Sequence, residues 1–210
     1  MPLYGYKRYE MRTSWRVLKW RDVPVVLSWT VLLGLPWFYY RQRSLLGMAI
    51  AFACFFFLML IHELGHAAVA KWRKVRVLEI QLYIVHGLCR HEEPDREVDD
   101  IWIAWGGVAA QAVVLLIAWI VRLQLGEYSY LLHFNAWLAL DIFTATNLSL
   151  IVLNLIPVPP LDGAKAWRVV PRLWARMPRP SLKRWRRNRE LERQSKVVTA
   201  DIIERLKKRQ

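Results

Sequence analysis

The stretch from Ile61 to Ala70 reads I-H-E-L-G-H-A-A-V-A and places two histidines and a glutamate inside an apolar segment. The preceding run, Leu45 to Leu60, contains no charged residue. Residues four apart share one face of an α-helix, so His62 and His66 can offer two ring nitrogens to one metal ion. Glu63 then lies near enough to reach a water molecule on that ion. The spacing is typical of zinc hydrolases.

The same pattern has a structural interpretation as well, because it also occurs on solvated helix faces and among paired core histidines. The setting favours a functional site. Ionisable groups within a membrane-spanning helix are rare, and they usually face the bundle interior or a water-filled cavity. We therefore interpret the histidines and the glutamate as the candidate site around which the chain is organised.

The composition predicts a membrane protein, because 55% of the 210 residues are hydrophobic and they are clustered. A spanning helix needs about 20 apolar residues. Four segments approach this length: Pro24 to Tyr40, Leu45 to Ala70, Ile101 to Leu123, and Leu131 to Ile156. The predicted fold class is an α-helical polytopic membrane protein with about four transmembrane helices and a small β-hairpin or strand between the second and the third.

The predicted hairpin rests on Val77 to Ile84, where apolar and polar residues alternate as in a half-buried strand. A turn at residues 86 and 87 would lead into a second strand, Leu88 to His91. An alternative interpretation makes His86, Cys89 and His91 a second metal site. They lack a recognised ligand spacing, so the structural interpretation is preferred.

The third span contains the pair Gly106 and Gly107, which predicts close approach of a neighbouring helix. Gln111 follows one turn later and is a candidate to point its amide at the site.

The fourth span ends in N-L-I-P-V-P-P-L-D-G, Asn154 to Gly163. Its three prolines lack an N–H and restrict the residue before them, so the helix must stop or unwind here. Irregular backbone at membrane depth is tolerated where it is buried in protein or lines a wet cavity. The carboxylate of Asp162 on such a segment is well suited to be the third protein ligand of a zinc ion.

The net charge of +14 is unevenly distributed. Except for Arg41, Arg43 and Arg122, every Lys and Arg lies in residues 1–23, in residues 71–100 or after residue 164. By the positive-inside rule these segments are cytoplasmic, which places both termini in the cytoplasm and the site near the cytoplasmic side. The predicted division is a basic juxtamembrane segment at 1–23, a transmembrane core that carries the candidate zinc site at 24–163 and a basic cytoplasmic tail at 164–210.

Basic residues mixed with Tyr and Trp at both ends of the chain favour contact with anionic lipid headgroups. No motif of a nucleic-acid-binding module occurs, so nucleic acid is not an expected partner. In the tail, an amphipathic helix is predicted with Leu191, Val198, Ile202 and Leu206 on its apolar side, although a solvated charged tail is the alternative.

The H-E-L-G-H motif and the later N-L-I-P-V-P-P-L-D-G motif together resemble those of the site-2 protease family of intramembrane zinc metalloproteases. The resemblance covers roughly Leu45 to Gly163. The resemblance implies that His62, His66 and Asp162 bind one Zn²⁺ per chain and that Glu63 is the catalytic acid and base. It also implies that the substrate is a transmembrane protein, cleaved at a peptide bond within or near its transmembrane segment.

The chain departs from the family pattern at two positions. It has Ala164 where the family often shows a second glycine, and Gln111 where the family shows an asparagine if Gly107 is the matching glycine. Gln111 and Asn154 are the candidates for positioning the substrate or its oxyanion. The predicted strand Val77 to Ile84 is a candidate to pair with an extended substrate at a sheet edge.

Two other functions remain open from the sequence. One is a catalytically inactive relative that acts as a membrane scaffold. The other is a small transporter in which Asp141 and the histidines form a proton or metal path. The lack of an internal repeat counts against the transporter, and the intact set of metal ligands and base favours the protease.

Overall fold

The structure of the chain is a computed structural model that describes residues 14–84, 86–125, 134–176, 187 and 189–195. In chain order its elements are β1 (Ser14–Trp20), β2 (Val23–Ser28), a 3-10 helix (Trp29–Gly34), α1 (Leu35–Gln42), α2 (Leu45–Trp72), β3 (Val77–Leu82), β4 (Gly87–His91), α3 (Glu97–Leu125), α4 (Phe134–Asp141), a π-helical turn (Ile142–Thr146), α5 (Asn147–Asn154), α6 (Gly163–Ala166) and α7 (Val169–Arg176).

The chain divides into two compact units after Val169. In the second unit, residues 170–176 and 189–195 are helical. Of the predicted amphipathic tail helix, Leu191 lies in this helical stretch, whereas Val198, Ile202 and Leu206 lie outside the described residues.

Three helices in the described part of the chain are long and apolar enough to cross a membrane. They are α2 with 28 residues, α3 with 29 residues and the Asn135–Asn154 stretch, which α4, the π-helical turn and α5 form together. These three correspond to the second, third and fourth predicted spans.

Helices α2 and α3 approach each other at glycines. A Cβ atom on Gly106 would lie 2.6 Å from the carbonyl oxygen of Gly65 and 2.9 Å from Cγ2 of Val69. The helices can therefore come this close only because both positions lack a side chain, as is common where membrane helices pack. The predicted role of the glycine pair in helix packing is confirmed at Gly106, and the contact brings α3 against the H-E-L-G-H face of α2.

A four-stranded sheet lies beside α2, with the strand order β1-β2-β3-β4. β1 and β2 are antiparallel, β2 and β3 are parallel, and β3 and β4 are antiparallel. β3 and β4 form a hairpin between the second and third predicted spans. Strand β1 falls within residues 1–23, so part of the predicted juxtamembrane segment belongs to the sheet. The boundaries at residues 23 and 163 stay predictions.

The prediction of a spanning helix over Pro24 to Tyr40 is wrong, and the expectation of about four transmembrane helices is not confirmed in the described chain. This segment forms β2, the 3-10 helix and the eight-residue α1. β2 is an inner strand with mostly buried or half-buried residues on both faces. Such a strand reads as a continuous apolar run, which periodicity cannot distinguish from a buried helix.

The segment after β2 leads from the sheet back to the beginning of α2. Ser28 starts the 3-10 helix by accepting a hydrogen bond from the backbone N–H of Thr30, at 3.3 Å. Further on, the Phe38 ring in α1 packs edge-on against Phe52, with ring centroids 5.8 Å apart. Helix α1 therefore packs along the first half of α2. The chain connects β2 to α2 through two short helices instead of one spanning helix.

Helix α5 ends at Asn154, as the prolines after it predict. The irregular segment that follows is tied to the rest of the fold by tryptophans: Trp105 Nε1 of α3 donates to Ala166 O at 3.2 Å, and Trp167 Nε1 donates to Leu155 O at 2.6 Å. An ion pair at 2.9 Å joins Lys165 Nζ to Asp100 Oδ1. These contacts fix the segment that carries Asp162.

Candidate metal centre

Three side chains from distant parts of the chain meet at one point. His62 Nε2 lies 2.9 Å from Asp162 Oδ2, His66 Nε2 lies 3.1 Å from the same oxygen, and the two Nε2 atoms are 3.0 Å apart. Within the described residues this is the only group of three or more His, Cys, Asp or Glu side chains placed to hold a metal ion. The alternative second site at His86, Cys89 and His91 is therefore not formed.

The Nδ1 atoms of both histidines have hydrogen-bond partners, and these partners define which ring nitrogen carries the proton. His66 Nδ1 lies 2.7 Å from the carbonyl oxygen of Ile103, which can only accept, so this nitrogen donates. His62 Nδ1 lies 2.9 Å from Gln111 Oε1, which also accepts. In the neutral rings both Nε2 atoms then turn their lone pairs toward Asp162, as metal-ligating histidines do.

The lone pairs of His62 Nε2, His66 Nε2 and Asp162 Oδ2 face one another at hydrogen-bond distance. They repel one another unless a cation or a proton lies between them. The Asp162 carboxyl reflects this arrangement. When protons rather than a metal cation lie between these atoms, burial by itself would raise the pKa of the carboxyl, but hydrogen bonds from the imidazoles protonated at Nε2, together with their positive charge, outweigh burial and hold that pKa well below its ordinary value.

The group fits a zinc ion in size and in chemistry. Zinc bound tetrahedrally by nitrogen and oxygen at about 2.0 to 2.2 Å has neighbouring ligand atoms about 3.3 Å apart, close to the separations between His62, His66 and Asp162. Space is also provided on the α3 side, since a Cβ atom on Gly107 would lie 2.5 Å from His66 Nε2 and 2.6 Å from His62 Cε1. Two neutral imidazoles and one carboxylate are a donor set that zinc prefers.

All six predicted site residues line one cavity of about 560 Å³. They come from three helices and the segment after α5: His62, Glu63, His66, Gln111, Asn154 and Asp162. Gln111 is 1% exposed and Glu63 is 4% exposed. β4 forms another part of the cavity wall, through residues that include Gly87 and Cys89.

Glu63 touches the backbone of β4. Its carboxylate fills the space where a side chain on Gly87 would begin. The Cys89 thiol beside it is affected in turn: burial, reinforced by the negative charges of Glu63 and Asp162, raises its pKa to about 12. The thiol therefore stays protonated at neutral pH.

Sequence reasoning missed several of these supporting contacts. The Ile103 carbonyl is a backbone group, which no residue type reveals. Gln111 was expected to face the substrate, but its amide oxygen accepts the hydrogen bond from His62. Asn147 is fully buried and its Nδ2 donates to the Gln111 backbone carbonyl at 3.0 Å, which supports this turn of α3.

Comparison with known proteins found relatives in sequence and in structure. No family model matches the chain. It is 33% identical over 133 residues to the Stage IV sporulation protein FB of Bacillus subtilis (strain 168), an alignment that covers 61% of this chain and 43% of that protein. It is 29% identical over 166 residues to a zinc metalloprotease of Methanocaldococcus jannaschii, covering 76% of this chain and 46% of that protein.

The solved structure of the site-2 protease from Methanocaldococcus jannaschii matches with a TM-score of 0.61 and 27% sequence identity, over 75% of this chain and 71% of that one. The chain is thus similar to the site-2 protease family in sequence and in fold. Its resemblance to this family through the two motifs is thereby confirmed. With three apolar spans, it is a multi-pass membrane protein. The chain spans less than half the length of the two sequence relatives.

Proposed function

We propose that this chain is an intramembrane zinc metalloprotease that hydrolyses a peptide bond within or near the transmembrane segment of a membrane-protein substrate. One observation carries the proposal. His62, His66 and Asp162 bring three ligand atoms within 3.1 Å of one another, and Glu63 lines the same cavity. The similarity of the chain to the site-2 protease family supports it.

In this proposal His62 Nε2, His66 Nε2 and an Asp162 carboxylate oxygen hold the zinc ion. Zinc bound there supplies Lewis acidity and lowers the pKa of a coordinated water to about 7. Glu63 accepts the proton of the attacking water at a carboxylate oxygen and then delivers it to the leaving amine. Burial of Glu63 strengthens its electrostatic interactions, because bulk water does not screen them.

Gln111 and Asn154 are assigned to the developing oxyanion. The Gln111 amide oxygen accepts a hydrogen bond from His62 Nδ1, and its Nε2 is the remaining donor of a side chain that lines the cavity. Asn154, the last residue of α5, also lines the cavity. Amide donors aimed at an oxyanion are a common way to stabilise acyl-transfer transition states.

The substrate binds as an added strand, but not where the sequence suggested. β3, within the predicted Val77 to Ile84 strand, is paired with β2 on one side and β4 on the other, so it has no free edge. In the described chain β4 is the edge strand on the cavity side. An extended substrate segment paired with β4 would present its backbone to the metal group.

The membrane orientation follows the distribution of basic residues. We place both termini in the cytoplasm and the site near the cytoplasmic side, with lipid headgroups at the sheet. The Trp20 ring supports a headgroup contact, because Lys71 Nζ and the Arg21 guanidinium lie 5.3 and 5.5 Å from its centroid. Aromatic and basic groups side by side are typical of that interface.

A transporter path is less favoured by the contacts of Asp141. Its side chain is 63% exposed and lies 3.9 Å from Arg122 Nη1, and it does not line the cavity. Asp141 therefore lies outside the cavity that holds the two histidines.

The test compares zinc content and cleavage in wild type, Glu63→Gln and a control, Glu79→Gln in β3. The proteins are reconstituted in liposomes with a set of single-span membrane proteins, and the products are separated by size. We expect Glu63→Gln to keep its zinc and lose cleavage, while Glu79→Gln keeps both. Cleavage that persists in Glu63→Gln would contradict the assigned role, and zinc-free wild type that takes up none would favour the scaffold.

A further inference from the structure

Gln111 joins the helix that carries the two histidines to the helix that leads to Asp162. Its amide oxygen accepts a hydrogen bond from His62 Nδ1 of α2 at 2.9 Å. Its backbone carbonyl accepts a second one from Asn147 Nδ2 of α5 at 3.0 Å. Gln111 is 1% exposed and Asn147 is fully buried. A chain of hydrogen-bonded residues therefore crosses three membrane-spanning helices and ends at a candidate zinc ligand.

The partner of the Asn147 amide defines its orientation. The Gln111 carbonyl can only accept, so the amide nitrogen faces it and the Oδ1 atom points away. No described residue donates to Oδ1, although this atom is buried. A buried polar atom without a partner is costly, so the amide gains little stability here over an apolar side chain of similar shape. What distinguishes Asn147 from such a side chain is the hydrogen bond that Nδ2 donates to Gln111.

The π-helical turn directly precedes Asn147. A π turn takes one residue more than an α turn, so it rotates the helix that follows by about 100° relative to a regular α-helix. In this phase Asn147 contacts α3, while Leu150 and Asn154, three and seven residues later, line the cavity. Such turns often occur at functional sites. The local backbone thus directs Asn147 toward the helix that supports the candidate metal centre.

We propose that Asn147 is a positioning residue of the candidate metal centre. It holds the turn of α3 at Gln111, and Gln111 in turn holds the His62 ring with Nε2 directed at Asp162. This inference rests on the proposed function and adds a residue to the same site. Asn147 is not part of the cavity wall, so it acts on the metal centre through the residue it contacts.

A role in packing alone is the alternative, because Asn side chains commonly join membrane helices by hydrogen bonds. Loss of the contact would then let α5 shift and would move Asp162, which follows it in the chain. The two roles differ in their dependence on Gln111. A packing role acts without the Gln111 amide, whereas the positioning role requires it.

The test is a double-mutant cycle on zinc affinity, measured on the full chain in detergent with a chelator as competitor. Asn147→Leu should weaken zinc binding by about 3-fold to 10-fold, which is the usual effect of losing one hydrogen bond. In the Gln111→Leu background the same change should have no further effect. Ser149→Ala is the matched control and should bind zinc like wild type, because Ser149 Oγ also donates to a backbone carbonyl but is exposed on α5.

Asn147→Ala provides a second variant in case leucine does not fit, and its effect should depend on Gln111 in the same way. Equal losses of zinc affinity with and without the Gln111 amide would overturn the proposal and leave Asn147 a packing role. Wild-type affinity in both Asn147 variants would overturn it as well.

A second readout is the visible absorption of the protein loaded with Co²⁺, which depends on the arrangement of the metal ligands. Asn147→Leu and Gln111→Leu should change the spectrum in the same way, and Ser149→Ala should leave it unchanged. A wild-type spectrum in Asn147→Leu would contradict the proposal. If wild type binds zinc and cleaves while the Asn147 variants behave like wild type, this inference alone fails, whereas absence of zinc and cleavage in wild type defeats the proposed function.

Discussion

Asp162 Oδ2 lies 2.9 Å from His62 Nε2, although 100 residues separate the two in the chain. Helix α3 makes this contact possible, because it touches both partners. It packs against α2 at Gly106 and donates from Trp105 Nε1 to Ala166 O just beyond Asp162. The geometry of the candidate metal centre therefore depends on α3, which supplies none of the three ligands.

Gln111 should tune metal affinity through His62. Replacing it by Leu removes the acceptor at 2.9 Å from His62 Nδ1 and frees the ring to turn. Loss of such a supporting hydrogen bond typically costs about 10-fold to 100-fold in metal affinity. Zinc affinity, measured by competition with a chelator, should fall by that factor in Gln111→Leu. The exposed Gln124 lies on the same helix, and Gln124→Leu is the control. Equal affinities in the two variants would show that Gln111 does not position His62.

Gly163 should be required for the position of Asp162. A Cβ atom at 163 would overlap the backbone of Leu155 and Ile156, so Gly163→Ala must displace the turn that carries the carboxylate. Overpacking of this kind costs about 1 to 3 kcal/mol of stability. We expect a lower thermal midpoint and zinc binding at least several-fold weaker, with Gly34→Ala as the control. Wild-type zinc affinity in Gly163→Ala would mean that the turn adapts.

The Cys89 thiol should resist alkylation in the native, metal-free protein. Burial and the nearby carboxylates raise its pKa to about 12, and the thiolate is the reactive form. In a Cys54→Ala background, iodoacetamide should react slowly at pH 9 and faster toward pH 12. The unfolded chain should already react near pH 9, where an ordinary thiol ionises.

The raised pKa of Cys89 also makes the stability of the folded protein depend on pH. A thiol whose pKa is higher in the folded than in the unfolded protein stabilises the fold below the unfolded pKa, and this contribution is lost as the pH rises toward 12. Native alkylation with a midpoint near pH 9 would show that Cys89 is not shielded as described.

The sequence predicted the ligand group because each part of it is locally encoded. The spacing of His62 and His66 needs only a helix, and the prolines before Asp162 end α5 regardless of the rest of the fold. The approach of α2 and α3 was also readable, from the glycine pair at 106. The packing of the helices brings the two histidines and Asp162 together. No local pattern predicts this meeting, and it was expected only because of the family resemblance.

The sheet could be predicted only in part. β3 alternates in polarity because it has distinct environments on its two faces, but β2 is covered on both and reads like a helix. β1 is exposed along nearly its whole length and rich in basic residues, so its sequence suggested a lipid-facing segment. The parallel pairing of β2 with β3 joins segments on either side of α2, a non-local contact that no local pattern encodes.

Side-chain partners within the site were the hardest to anticipate. Whether Gln111 faces the substrate or His62 depends on a rotamer set by the neighbouring helix, and the contact of Glu63 with β4 depends on how closely its carboxylate packs against Gly87. Sequence spacing can bring such groups to one cavity, but it does not choose their partners.

The most direct test of the account is the zinc content of detergent-purified wild type beside Asp162→Ala and Asp141→Ala. Asp141 is an exposed aspartate outside the cavity and serves as the matched control. We predict about one zinc per chain in wild type and in Asp141→Ala, and zinc lost or much weakened in Asp162→Ala, because the third ligand comes from the distant motif. Zinc bound equally well by Asp162→Ala, or no zinc taken up by wild type, would contradict the proposal that the two motifs form one metal site.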